Sequence, residues 1–167
     1  MIARAFPMIV ILAAGVLLSA TVTPARAEED DDPAALARAL ADAPATLQVG
    51  LKASEHAGIP ISAKFEIEDG KLQLSVYTLD GSEFVEVIAD PKTGAVIKTE
   101  KITESDNLKD ASAQNAAIAK ATITLLTAAD MAVKENAGIR AVSIEPRLQS
   151  GHSVAEVTLL QVAAFKK

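Results

Sequence analysis

The stretch from Ile61 to Glu68 alternates without a break, with Ile61, Ala63, Phe65 and Ile67 on one side and Ser62, Lys64, Glu66 and Glu68 on the other. A period of two predicts a β-strand with one buried face. Asp69-Gly70 follows, a dipeptide that tolerates positive φ at both central positions of a two-residue hairpin turn. Leu72, Leu74 and Val76 alternate again on the return strand. Asp80-Gly81 predicts a second hairpin turn of the same kind. Val85, Val87 and Ala89, interleaved with Phe84, Glu86 and Ile88, predict a third strand. Asp90-Pro91-Lys92-Thr93-Gly94 then fits a type I turn ahead of a fourth strand from Ala95, with Pro91 presetting φ and Gly94 left-handed.

Helical spacing frames these strands. Pro33 suits the first turn of an alanine-rich helix over Ala34 to Ala41, and Pro44 interrupts it. Thr46 caps a second helix whose apolar side holds Leu47, Leu51 and Ala53, and Gly58 ends it in the left-handed conformation. The polar stretch from Thr103 to Asn115 reads as a linker or an irregular helix start. Ala116 to Ala137 reads as one long helix with Ile118, Leu125, Leu126, Ala129 and Val133 as its apolar stripe, closed by Gly138.

The pattern then repeats. ASEHAGI ends at Ile59 and VKENAGI at Ile139, so Gly58 and Gly138 lie 80 residues apart. Each glycine closes a helix and precedes strand-like sequence, and a glycine turn follows in both copies, Asp69-Gly70 and Gln149-Ser150-Gly151. A duplicated unit of helix then hairpins is expected. The second copy stops after QVAAFKK and has no match for the DPKTG turn. One unit of about 55 residues is marginal alone, so the two are expected to share a core or combine their sheets. The fold class is therefore α+β, with helices packed on antiparallel sheet.

The amino terminus changes the picture of the compartment. Arg4 precedes an apolar stretch from Met8 to Ala20, and Ala25-Arg26-Ala27 fits a small-x-small cleavage site. Residues 1–27 are read as a signal peptide, the alternative being an uncleaved anchor. The expected location is the bacterial periplasm, with secretion to the outside open. Zero cysteines remove disulfides and thiolate metal sites. Without Arg4 and Arg26 the chain holds 22 acids against 14 bases, a net charge of −8. An acidic chain with four Phe, one Tyr and no Trp lacks the basic stripe and stacking platforms of a nucleic-acid binder. The run Glu28 to Asp32 reads as a solvated end.

Catalytic and metal chemistry find little to rest on. A calcium loop started at Asp80 has Val85 at its sixth position and Pro91 at its twelfth, where an EF-hand needs Gly and Glu. The two histidines, His56 and His152, form a site only if the fold unites them. The chain has no strand–G-x-S-x-G–helix segment and no glycine-rich phosphate loop. Gly58, Asp69, Gly70, Asp80, Gly81, Asp90, Thr93, Gly94 and Gly138 are read as a structural turn signature. No catalytic residue, cofactor or metal is assigned.

The helix ending in EHAGI, the alternating strands, the DG turn and FVEVIADPKTGAVI together resemble the PepSY-domain family. Val85, Val87, Ala89, Asp90, Thr93 and Gly94 fill its hydrophobic-x-hydrophobic-x-hydrophobic-Asp-x-x-Thr-Gly ending, with Ala89 smaller than usual and Pro91 in place of alanine. The resemblance covers Thr46 to Lys101 well and Thr124 to Lys167 weakly. It implies tandem cystatin-like modules, a helix on antiparallel sheet, that bind and regulate or inhibit envelope peptidases without catalytic residues. The expected organisation is a signal peptide (1–27), an acidic, alanine-rich segment (28–45), a first module (46–102), a linker (103–117) and a truncated second module (118–167). A protein partner is expected, with no nucleic acid and no stable membrane insertion after cleavage; a homodimer is open. The candidate partner edge is Leu159, Gln161, Val162 and Phe165, because the second copy lacks strands to cover it. The alternative function is a periplasmic accessory or cation-handling protein using its acidic surface.

Overall fold

The computed structural model describes residues 8–13 and 32–162. Seven antiparallel strands form one sheet in the order β1-β7-β6-β2-β3-β4-β5. They are β1 (Met8–Ala13), β2 (Ile59–Glu68), β3 (Lys71–Asp80), β4 (Glu83–Ala89), β5 (Val96–Lys101), β6 (Arg140–Gln149) and β7 (His152–Leu160). The helices are α1 (Pro33–Ala41), α2 (Leu47–Ser54), α3 (Ser105–Ile118) and α4 (Leu125–Glu135), and a short 3-10 turn, Glu55–Ala57, extends α2.

The main core lies between one sheet face and α1, α2 and α4. Ala63, Phe65, Leu74, Val76, Val87, Ile144, Val157 and Leu159 meet Leu36, Leu40, Leu47, Leu51, Ala128, Ala129 and Ala132 there. The alternation of β2, β3 and β4 thus buries the expected faces from Ala63, Leu74 and Val85 onward. Ile61 departs from its expected companions. A bulge between Pro60 and Ser62 shifts the register, and Ile61 is buried in a second cluster with Ile102 and Ala111. A bulge adds one residue to a strand and so re-aims its side chains.

Two helical expectations are corrected. Residues 103–117 are not a linker: α3 runs for 14 residues from Ser105. It buries Ala111 and Ala117, packs Leu108 and Ile118 beside Tyr77, Leu79 and Phe84, and ties to the sheet through Ser62 Oγ donating to Gln114 at 2.8 Å. Its buried contacts are small alanines, so its hydrophobic period is faint and the stretch reads as polar. The long helix expected over Ala116 to Ala137 is broken in two. Thr124, whose hydroxyl accepts from Thr127 N at 3.1 Å, starts α4 afresh. The described part of the acidic, alanine-rich segment contributes to the core, since α1 buries Leu36 and Leu40.

The hairpins β2–β3 and β6–β7 share one register. Glu68↔Lys71, Ser62↔Tyr77, Pro60↔Thr78 and Ile59↔Leu79 correspond to Gln149↔His152, Ser143↔Thr158, Ala141↔Leu159 and Arg140↔Leu160, each offset by 81 residues. The bulges coincide at the same offset, and so do the turns. Asp69 and Gly70 have φ of 50° and 72°, and Ser150 and Gly151 have 50° and 83°. The two hairpins meet where Ala63 pairs with Ile144, again offset by 81.

Candidate interaction site

The acidic side chain of Asp90 is engaged by its own turn. Asp90 Oδ1 accepts from Lys92 N at 2.7 Å and Thr93 N at 2.8 Å, and Thr93 Oγ1 accepts from Ala95 N at 3.2 Å. These donors hold the Asp90 carboxyl below its ordinary pKa, the Thr93 amide most strongly. Gly94 takes φ of 74°, and a Cβ there would run into the Val49 side chain. Asp80 sits one position off its expected place. It pairs with Glu83 as the last residue of β3, and the two-residue loop is Gly81-Ser82 with Gly81 at φ 58°. A glycine at the first central position suits a two-residue hairpin loop, which draws the turn one residue onward. Gly58, at φ 143°, lies so close to β3 that a Cβ would sit 2.5 Å from the Leu79 carbonyl oxygen. Gly138, at φ 88°, faces open space.

His56 lies in the 3-10 turn after α2, and His152 opens β7 across from Gln149. Among the described residues no group of three or more His, Asp or Glu side chains is placed to hold a metal ion.

The sheet face opposite the main core carries a polar network. Ser75 Oγ donates to Glu86, and Gln73 Nε2 donates to Glu66 at 3.0 Å and Glu68 at 2.7 Å. Lys64 and Glu66 form an ion pair at 2.6 Å. Burial pushes the Glu86 carboxyl above its ordinary pKa, against the Ser75 hydrogen bond that lowers it, and Glu66 and Glu68 add to the rise. Burial, with the nearby Glu86 charge second, lifts the Tyr77 phenol to about 12. Ser75 is only 1% exposed, so its hydroxyl is closed to a substrate. A groove of about 580 Å³ beside α2 and α4 is lined by Leu51, Ile59, Ile123, Leu126 and Glu55, whose carboxylate is held by Lys52 at 2.8 Å.

Arg140 was not foreseen. Its guanidinium donates to the carbonyls of Leu40 at 3.1 Å and Ala43 at 2.6 Å, and also to that of Ala45. It stands 4.8 Å from the centroid of the Phe65 ring. Desolvation lowers its pKa, and Nε is buried without a hydrogen-bond partner. The only signal in the sequence is one arginine in the apolar run AGIRAVSI.

The two ends of the sheet differ in kind. Every residue of β5 is exposed, Ile97 at 64%, and the strand carries Lys98, Glu100 and Lys101. Lys98 pairs with Glu100, and Lys101 with Glu83. Lysines on an outer strand discourage edge-to-edge pairing. Toward the other end, β7 buries Val154, Val157, Leu159 and Leu160, the last three at 1% exposure or less, while His152 is exposed. Of the candidate edge, Leu159 lies in the core, Gln161 is exposed, Val162 packs partly buried against the core, and Phe165 lies outside the described residues. The outer side of β7 is occupied. β1 pairs with it in antiparallel register from Met8↔Leu159 to Ala13↔Val154. This strand falls within the segment expected as a leader, whose cleavage site at Ala25-Arg26-Ala27 lies outside the described residues. Among the described residues no helix is long and apolar enough to cross a membrane.

No family model matches the chain, nor does any curated protein or solved structure.

Proposed function

We propose that this chain is a non-catalytic, exported binding module that engages a protein partner by strand addition at the outer edge of β7. One observation carries the reading: that edge takes a six-residue apolar strand, MIVILA, in full antiparallel pairing. Removal of residues 1–27 would take β1 with it and leave the backbone N–H and C=O groups along that side of β7 without partners. Unpaired ladder groups on an apolar outer strand form a template for an extended segment, main-chain bonds giving affinity and side-chain pockets selectivity. The other outer strand, β5, is guarded by lysines and is a poorer template.

The shared register of the two hairpins supports reading the chain as tandem PepSY-like modules, each a threonine-capped helix, a glycine and a bulged hairpin. An envelope peptidase is the kind of partner that the PepSY resemblance implies, held through its backbone rather than through a reacting group.

The test is a titration of the processed chain, recovered after export, with a peptide spanning residues 7–14 flanked by solubilising lysines. Saturable binding to the processed chain, with at least about tenfold weaker binding to the full chain whose own β1 competes, is expected. Equal affinity for both chains, or none for either, would overturn the reading.

A further inference from the structure

The shared register specifies what the β7 edge recognises. Moving β3 by 81 residues puts Leu74 on Ala155, Val76 on Val157 and Thr78 on Leu159. On its outer side β3 is paired by β4 as Leu74↔Ala89, Val76↔Val87 and Thr78↔Val85. On its outer side β7 is paired by β1 as Ala155↔Leu12, Val157↔Val10 and Leu159↔Met8. β1 therefore occupies, residue for residue, the place relative to β7 that β4 occupies relative to β3. Among the described residues the second hairpin is followed by no β4 of its own, and the place that β1 fills is one strand wide with a fixed register.

We infer that the partner segment is a β4 mimic: an extended antiparallel strand with apolar side chains opposite Ala155, Val157 and Leu159. This rests on the strand-addition reading above. The chemistry follows from what each row of the sheet meets. In β4, Val87 and Ala89 belong to the main core, and Val85 is buried in line with them. The corresponding row on β7 holds Val157 and Leu159, which belong to the same core cluster as Ala128, Ala129 and Ala132 of α4. A charge placed beside that row would be buried without a partner. The intervening positions lie opposite Glu156 and Thr158, on the face where Glu145 pairs with Glu156 across the ladder. Polar residues are tolerated there, where Glu156 is already ion-paired with Arg147 at 2.8 Å. The recognised class is thus a segment of pattern apolar-x-apolar-x-apolar, read by register rather than by any one side chain.

The protein's own β4 sequence provides the probe. The host is the full chain carrying Val10→Pro, which removes a ladder N–H from β1. Ile11→Pro is a second host, because N–H groups of successive residues point to opposite sides of a strand and only one of the two faces β7. A peptide of sequence EFVEVIA is expected to bind either the first or the second host. Lysine at the position of Val87 is expected to weaken binding at least about 30-fold, and serine at the position of Ile88, which falls opposite Glu156, less than about threefold. Because the chain has no cysteine, register can be read directly. With Thr158→Cys in the host, a peptide bearing cysteine at the position of Glu86 should form a disulfide, and one bearing it at the position of Val87 should not. If a residue 7–14 peptide binds but the EFVEVIA peptide does not, or the disulfides form without regard to register, the β4-mimic inference falls and strand addition stands. If neither peptide binds either host, both fall.

Discussion

The guanidinium of Arg140 lies 4.8 Å from the centre of the Phe65 ring and hydrogen-bonds the carbonyls that end α1 and lead into α2. One cation at the start of β6 thus fastens the amino-terminal helix to the middle of the sheet. The Leu40 carbonyl, in the last turn of α1, also accepts from the Asp42 and Ala43 amides, while Ala43 lies just past the helix, and a cation there suits the helix dipole. Arg140→Met keeps the apolar stem and removes every donor. Loss of about 2–4 kcal/mol in denaturant unfolding is expected, because the Ala43 and Ala45 carbonyls lose their charged donor. An unchanged midpoint would show that the loop is held by apolar contacts alone.

Glu86 tests the polar face. Its folded pKa is raised, first by burial, so the ionised carboxylate opposes folding at neutral pH. That cost is present above the folded pKa, shrinks as pH falls through it, and is gone below the unfolded glutamate value of about 4.3. Glu86→Gln keeps an acceptor for Ser75 and removes the charge. A higher Tm than the parent at pH 7, with the two converging near pH 4, is the expected result; a lower Tm at pH 7 would mean that the Lys64 charge outweighs burial.

Asp90 has the opposite sign. Its folded pKa is lowered by the Thr93 and Lys92 amides, so its stabilising effect is full above the unfolded aspartate value of about 3.9 and disappears as pH falls through the folded pKa. Asp90→Ala should lower Tm at pH 7, and the gap should close in strong acid. A gap that persists at pH 2 would point to a role outside the carboxylate.

Gly94 and Gly70 separate strain from collision. Both have positive φ, 74° and 72°, but an added Cβ meets Val49 at Gly94 and nothing within 4 Å at Gly70. Gly70→Ala should cost about 1 kcal/mol for the left-handed backbone, and Gly94→Ala at least about 1 kcal/mol more. Equal costs in parallel urea titrations would mean that α2 yields freely to the turn.

What was legible in the sequence was local chemistry. Period-two alternation found β2, β3 and β4, and Asp69-Gly70 found a turn whose φ values are both positive. The EHAGI and ENAGI echo, 80 residues apart, precedes two hairpins whose registers match at an offset of 81. Long-range chemistry was hidden. The alanines of α3 carry little amphipathic signal, and a bulge that re-aims Ile61 leaves no mark on the alternation. Nothing local tells Arg140 that its partners lie nearly a hundred residues earlier. The edge around Leu159 was expected to be open. β1 covers it, because an apolar six-residue run far away in the chain completes a sheet position that the second hairpin lacks.

The central claim is that the outer side of β7 is a strand-accepting edge which residues 8–13 cover. Amide hydrogen exchange over Ser153 to Leu160 tests it directly, in the full chain, in Val10→Pro and Ile11→Pro, and with a saturating residue 7–14 peptide. The outward amides of β7 should exchange slowly in the full chain, faster in one of the proline variants, and slowly again when the peptide is added. Exchange that is the same in all of these, with β7 protected whether or not β1 or the peptide is present, would contradict it.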